Sequence, residues 1–151
     1  MNIIGYIIPM KIAIGADHAG FLLKEKIKKH LKSKIHVKDF GTFDESSVDY
    51  PDFAKAVSKS VIKKECYFGI LICGTGIGMS IAANKNKGVY AALCHNEYTA
   101  KMSREHNKAN ILVLGSRTLS DNMAFKIVDT FFKTDFEGGR HIKRLKKIEK
   151  I

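Results

Sequence analysis

Residues Phe68–Cys73 read FGILIC, and Gly74-Thr75-Gly76-Ile77-Gly78 follows at once. An unbroken apolar run of this length suits a strand covered on both faces, as in a parallel sheet between helices. The glycines after it let the chain turn tightly into a helix through residues 80–84, SIAAN. Strand, loop and helix form the repeating unit of an α/β fold, and the rest of the chain keeps repeating it.

Upstream, Lys11–Ala16 (KIAIGA) predicts a strand, and Phe21–Leu31 a helix with Leu22, Leu23, Ile27 and Leu31 on one face. Residues 35–40 predict the second strand. Pro51, just after Asp49-Tyr50, predicts the first turn of a helix running to about Lys64. Downstream, residues 89–94 and 110–114 predict strands separated by a polar helix over about 96–106. Ser120 predicts the cap of a helix carrying Ala124, Ile127, Val128 and Phe131, and a basic amphipathic helix closes the chain from about Arg140. Five strands, each followed by a helix, imply a three-layer α/β/α, Rossmann-like domain with a five-stranded parallel sheet and a C-terminal helix. No linker, repeat or low-complexity segment divides residues 10–151, which are read as one domain. Residues 1–9 are read as a short extension ahead of it, with Met10 an equally good start.

A chain of 151 residues, 45% hydrophobic and 27% charged, suits a single globular domain. No apolar run approaches the roughly 20 residues that span a bilayer. The opening residues lack the basic lead and small-residue cleavage site of a secretion signal. Cys66, Cys73 and Cys94 form neither an even framework nor a C-x-x-C pair. These features predict a cytoplasmic protein with free thiols. The histidines have no metal-ligand spacing, so no metal is expected. The net charge is +11, and all but four of the 26 basic residues are lysines spread where helices would meet water. A nucleic-acid-binding module would need interleaved aromatics and basic residues gathered beyond the C-terminal tail, and the chain has neither. The four arginines, Arg104, Arg117, Arg140 and Arg144, stand out because a guanidinium suits bidentate phosphate binding.

In a parallel α/β sheet the ligand sits beyond the carboxyl ends of the strands. That rule selects Asp17 and His18, Cys73 with its loop, His95 and Asn96, and the region of Arg117. The loop at 74–78 offers backbone N–H groups to an anion, but it lacks both the dinucleotide fingerprint and a Walker lysine. Cys73 stands just ahead of a helix N-terminus, where a thiolate is favoured. Most free cysteines are small buried hydrophobes, so spacing alone leaves both readings open. Cys66 and Cys94, without a glycine loop behind them, read as structural. Histidine suits acid–base work near neutral pH, which singles out His18 and His95 at strand ends. His30, His36, His106 and His141 have no such placement and read as surface residues. Arg140 and Arg144 lie four apart on one helix face and, by themselves, read as a solvated basic tail.

Together these motifs resemble a known family, the ribose-5-phosphate isomerases of the B type with the related galactose- and allose-6-phosphate isomerases. The matching stretches are residues 15–24 (GADHAGFLLK), 49–54 (DYPDFA), 73–85 (CGTGIGMSIAANK), 94–107 (CHNEYTAKMSREHN), 114–117 (LGSR) and 138–145 (GGRHIKRL). They fall in the family's order and cover nearly all of the chain after Met10. The resemblance implies an aldose–ketose isomerase of the pentose phosphate pathway, with no cofactor, that interconverts ribose 5-phosphate and ribulose 5-phosphate through an enediolate.

The resemblance also implies the roles. Cys73 is the base moving a proton between C1 and C2, and Gly74, Thr75, Gly76 and Gly78 form the anion hole. Asp17 and His95 handle ring opening and hydroxyl binding, with Thr75 assisting. His18, Arg117, Arg140 and Arg144 hold phosphate and sugar, and Asn96 contacts a hydroxyl. Some relatives lack the cysteine and place a glutamate just after the last loop glycine; here that residue is Met79, so Cys73 has no rival. A homodimer with shared active sites, sometimes paired into a tetramer, is also implied. A six-carbon sugar phosphate is the alternative substrate. A catalytically silent sugar-phosphate sensor is the alternative class, against which the intact Cys73, His95 and glycine loop count.

Overall fold

The computed structural model describes residues 10–151, together with a backbone pairing of Asn2–Ile3 against Tyr6–Ile7. The expected extension, residues 1–9, otherwise lies outside the described residues.

The main sheet has five parallel strands: β1 (Lys11–Ala16), β2 (His36–Asp39), β3 (Phe68–Cys73), β4 (Ala91–Leu93) and β5 (Ile111–Gly115). They lie in the order β2-β1-β3-β5-β4. Helices α1 (Phe21–Leu31), α2 (Tyr50–Ile62), α3 (Ile77–Asn84), α4 (Glu97–Glu105) and α5 (Asp121–Lys133) each follow a strand, and α6 (Arg140–Ile148) ends the fold. The predicted three-layer architecture is the observed one. Among the described residues no helix is long and apolar enough to cross a membrane.

Strand β3 buries side chains on both faces, as its apolar run requires. Ile70 and Ile72 join Ile12, Ile14, Ile27, Leu112, Ile127 and Phe131 in a core beneath α1, α4 and α5. Leu71 and Cys73 join Ala13, Val57, Met79, Ile111 and Val113 in a second core beneath α2 and α3. Helix α4 starts in a reciprocal box in which Asn96 Oδ1 accepts from the Thr99 N–H while Thr99 Oγ1 accepts from the Asn96 N–H. Helix α5 starts where Ser120 Oγ accepts from Met123 N–H at 3.2 Å.

Three sequence readings change. Helix α3 begins at Ile77, inside the glycine loop, because Gly76 at φ +77° makes the turn within one residue. The strand read over 89–94 shortens to Ala91–Leu93 because the Asn110 side chain captures the Tyr90 N–H at 2.8 Å before the ladder starts. On α1, Leu22 is 54% exposed and Lys24 is wholly buried in its stead. The buried stripe runs through 23, 27 and 31 and widens on the 24 side, one helical step away from Leu22.

Candidate active site

The chain passes from β1 outward to β2 and back across to β3, so the fold's first crevice opens between the carboxyl ends of β1 and β3. Asp17 and Cys73 stand on its two sides. Cys73 is 5% exposed, and its sulfur accepts the Gly76 N–H at 3.2 Å. That bond brings an amide donor to the sulfur at the start of α3, where the helix leaves its first N–H groups without intrahelical partners. Thr75 is exposed, and its hydroxyl accepts from Ile77 N–H at 3.3 Å. Met79 is wholly buried in the second core, and its side chain carries no proton-accepting group.

The loops after three strands are stitched together. Ser116 N–H donates to Cys73 O and Arg117 N–H to Gly74 O, each at 2.9 Å. Ser116 Oγ donates to Ala19 O at 2.8 Å. A Cβ on Gly74 would meet Arg117 Nη1 at 3.0 Å, so the exposed guanidinium lies directly over the loop backbone. A cation there favours any anion held by the loop amides.

Asp17 is 6% exposed, and its Oδ1 accepts the N–H groups of Ala19 and Gly20, both at 3.0 Å. His18 accepts the Val48 N–H on Nδ1 at 3.3 Å. A nitrogen that accepts carries no proton, so the neutral ring is the Nε2–H tautomer, with a donor to offer a ligand. His95 and Asn96 follow the edge strand β4, two strands from Cys73 and therefore on the order of 10 Å to the side. His95 is exposed, with its backbone N–H bound to Thr99 Oγ1 at 3.1 Å. Asn96 spends its side-chain oxygen on the α4 cap, which leaves the amide NH₂ as its donor to a ligand.

Arg140 and Arg144 do not join this group within the chain. Helix α5 runs from the carboxyl end of β5 back to the amino end of the sheet, and α6 starts there. Ile142 and Leu145 line one cavity with Phe68, Tyr90 and Asn110, residues at the amino ends of three strands. Strand β3 alone separates that level from Cys73 by roughly 17 Å.

The histidine reading needs correction at the same end. His141 is only 3% exposed, its ring stacked on His106 with centroids 4.2 Å apart. Glu137 faces both, 3.7 Å from His106 Nε2 and 3.6 Å from His141 Nε2. The nitrogen and carboxylate atoms of His106, Glu137 and His141 lie within 4.8 Å of one another, a grouping that sequence spacing did not reveal. The two rings lie 15° from parallel, and both Nε2 atoms face the same Glu137 oxygen. His30 is half-buried, stacked on Phe125 and paired with Asp129 at 2.8 Å. His36 alone of the four is exposed.

Two residues that the sequence did not single out line the crevice. Tyr50 lies across Gly78: a Cβ there would meet its Cζ at 2.6 Å and its hydroxyl at 2.9 Å. Ser116 joins the loops as described. Cys66 and Cys94 are buried, and burial above all pushes the Cys94 thiol up to about 11 against opposing hydrogen bonds from Ser103 and Thr99. Cys94 is thus a protonated core thiol.

Comparison with known proteins points the same way. The profile described as ribose/galactose isomerase matches residues 12–148. The chain is 46% identical over 142 residues to ribose-5-phosphate isomerase B of Escherichia coli, covering 93% of this chain and 95% of that protein. Among solved structures it is similar to Clostridium thermocellum ribose-5-phosphate isomerase B, with a TM-score of 0.92 and 54% identity, covering 93% of this chain and 96% of that one. It is also similar to the Mycoplasma genitalium ribose-5-phosphate isomerase B with bound ribulose 5-phosphate, at a TM-score of 0.89 and 49% identity, covering 93% and 95%.

Proposed function

The chain belongs to the ribose/galactose isomerase family, and from that premise we propose that it interconverts ribose 5-phosphate and ribulose 5-phosphate with Cys73 as the base. The observation that carries the proposal is the Gly76 N–H bond to the Cys73 sulfur, at a strand end that opens directly onto an amide-lined loop. A thiolate there takes the proton from C2 of the open aldose and returns it to C1. Meanwhile the O2 hydroxyl gives up a proton and O1 gains one. The negative charge on the enediolate oxygen lies against the N–H groups of the 74–78 loop, where fixed donors stabilise developing charge without reorganising.

Asp17 and His95 are assigned to ring opening, Thr75 to assisting them, and Asn96 to a sugar hydroxyl through its free amide. His18, through its Nε2–H, and Arg117 hold phosphate or sugar oxygens. Arg140 and Arg144, remote from their own Cys73, serve the site of a second copy in a homodimer. This arrangement gives one substrate two faces of protein, with the base from one subunit and forked cations from the other.

The test is turnover of ribose 5-phosphate beside allose 6-phosphate and galactose 6-phosphate, with wild type and Cys73→Ala in chelator. Preference for ribose 5-phosphate, abolished in Cys73→Ala with binding retained, is the expected result. Preference for a six-carbon substrate would move the assignment within the family, and inactivity on all three would sink it.

A further inference from the structure

Lys24 has no part in the chemistry just described, yet its long charged side chain is wholly buried. Its Nζ donates to Asp39 Oδ2 at 2.5 Å and to Glu25 Oε1 at 2.8 Å, and stands 5.3 Å from the centre of the Phe43 ring. Lys28 adds a second donor to the same Asp39 oxygen at 2.7 Å. Burial works to raise the Asp39 carboxyl, and these ammonium groups with the Gly41 N–H more than offset it, so the carboxylate stays ionised. Such a buried pair is weak as a source of stability, because desolvation consumes most of the attraction. Its effect is better sought in what it holds in place.

What it holds is the 41–48 segment, which follows β2 and lies against the end of β1. Asp39 Oδ1 accepts the Gly41 N–H at 2.8 Å. Gly41 O then accepts from Ala16 N–H, and Thr42 N–H donates to Ala16 O, both at 2.7 Å. Ala16 is the residue before Asp17 and His18. At its far end the same segment supplies the Val48 N–H that fixes the His18 tautomer. We propose that Lys24 and Asp39 are positioning residues: the buried pair anchors the 41–48 segment on the end of β1, and the segment in turn orients His18 as an Nε2–H donor toward the phosphorylated sugar. The proposal rests on the assignment of His18 to substrate binding.

Two measurements on Asp39→Asn test it. The first is the imidazole nitrogen spectrum of the ¹⁵N-labelled free protein, which reads the His18 tautomer without any substrate. The wild-type ring should be the Nε2–H form, and the variant ring a mixture. The second is a KM and kcat cycle with His18→Asn. Asp39→Asn should raise KM roughly tenfold with kcat little changed, as expected for groups in one network, and should raise it no further in the His18→Asn background. An unchanged tautomer, or full additivity in KM, would overturn the proposal. A merely structural role lowers stability alike in both backgrounds. If Asp39→Asn does not fold, Lys24→Met is carried through the same two measurements, with Lys24→Arg as the conservative rescue. The spectrum is independent of turnover, so failure of the isomerase assignment and failure of this positioning role give different results.

Discussion

The Cys73 sulfur and the Gly76 N–H are 3.2 Å apart, joined across the turn from β3 into α3. In the proposed mechanism this bond ties the base to the loop whose amides would receive the enediolate charge. Cys73→Ser preserves shape and hydrogen bonding but replaces the thiol with a hydroxyl that hardly ionises near neutral pH. Turnover of ribose 5-phosphate should fall by about 10²–10⁴, the range of a lost general base. The thermal melt should move little.

The three thiols should differ in reactivity. Cys94 is wholly buried and its thiol is pushed up to about 11, while Cys66 is 1% exposed in the second core. Cys73 is the one at a site mouth, beside an amide donor. Limited alkylation of the native protein at mildly alkaline pH, read by peptide mass spectrometry, should mark Cys73 first. Sugar phosphate should protect it. Labelling of Cys94 at a comparable rate would contradict the buried placement.

Asn96 has one observed duty and one proposed, which substitution can separate. Its Oδ1 caps α4 by accepting from Thr99 N–H at 2.8 Å, and its amide is the group assigned to substrate. Asn96→Ala loses both and should cost about 1 kcal/mol of stability, the usual worth of a cap. Asn96→Asp keeps the cap and loses the donor. It should melt like wild type yet bind substrate more weakly, and normal kinetics in Asn96→Asp would leave Asn96 a cap alone.

How much of this was legible in the sequence depended on range. The strand of FGILIC and the cap at Ser120 are fixed by neighbours a few residues away, and their reading survives in a fold that matches solved relatives. Lys24 was missed because a charge on a helix reads as solvent-facing until Asp39, fifteen residues on, is brought beside it. Likewise His106 and His141 are assembled only when α5 returns the chain to the amino end of the sheet and α6 turns under it. The existence and order of strands and helices follow from local pattern, whereas partners across elements follow from topology.

His141 should leave a signature in stability against pH. Burial first, then the charges of His106, Arg140 and Arg144, hold its imidazole below the ordinary 6.5, with Glu137 opposing. The unfolded chain therefore takes up this proton at a higher pH than the folded chain does. The contribution is whole above 6.5 and is lost as the pH falls from there through the folded value. Urea midpoints should drop on acidification through this window, and His141→Asn should show a shallower drop. Parallel curves would mean that His141 titrates alike in both states.

The placement of Arg140 and Arg144 at the amino end of the sheet makes the shared site testable without a structure of the assembly. If each site takes its base from one subunit and these arginines from another, Cys73→Ser and the double variant Arg140→Ala/Arg144→Ala are each inactive but fail in different halves. Unfolding and refolding them together at equal amounts gives mixed dimers in which one site pairs an intact Cys73 with intact arginines, while the other is doubly broken. With half of the dimers mixed, and one of two sites working in each, activity should recover to about a quarter of wild type. Simple mixing without refolding should recover less, at a rate set by subunit exchange. Recovery of nothing after refolding, with both variants folded and dimeric, would place the arginines in the service of their own chain or of none.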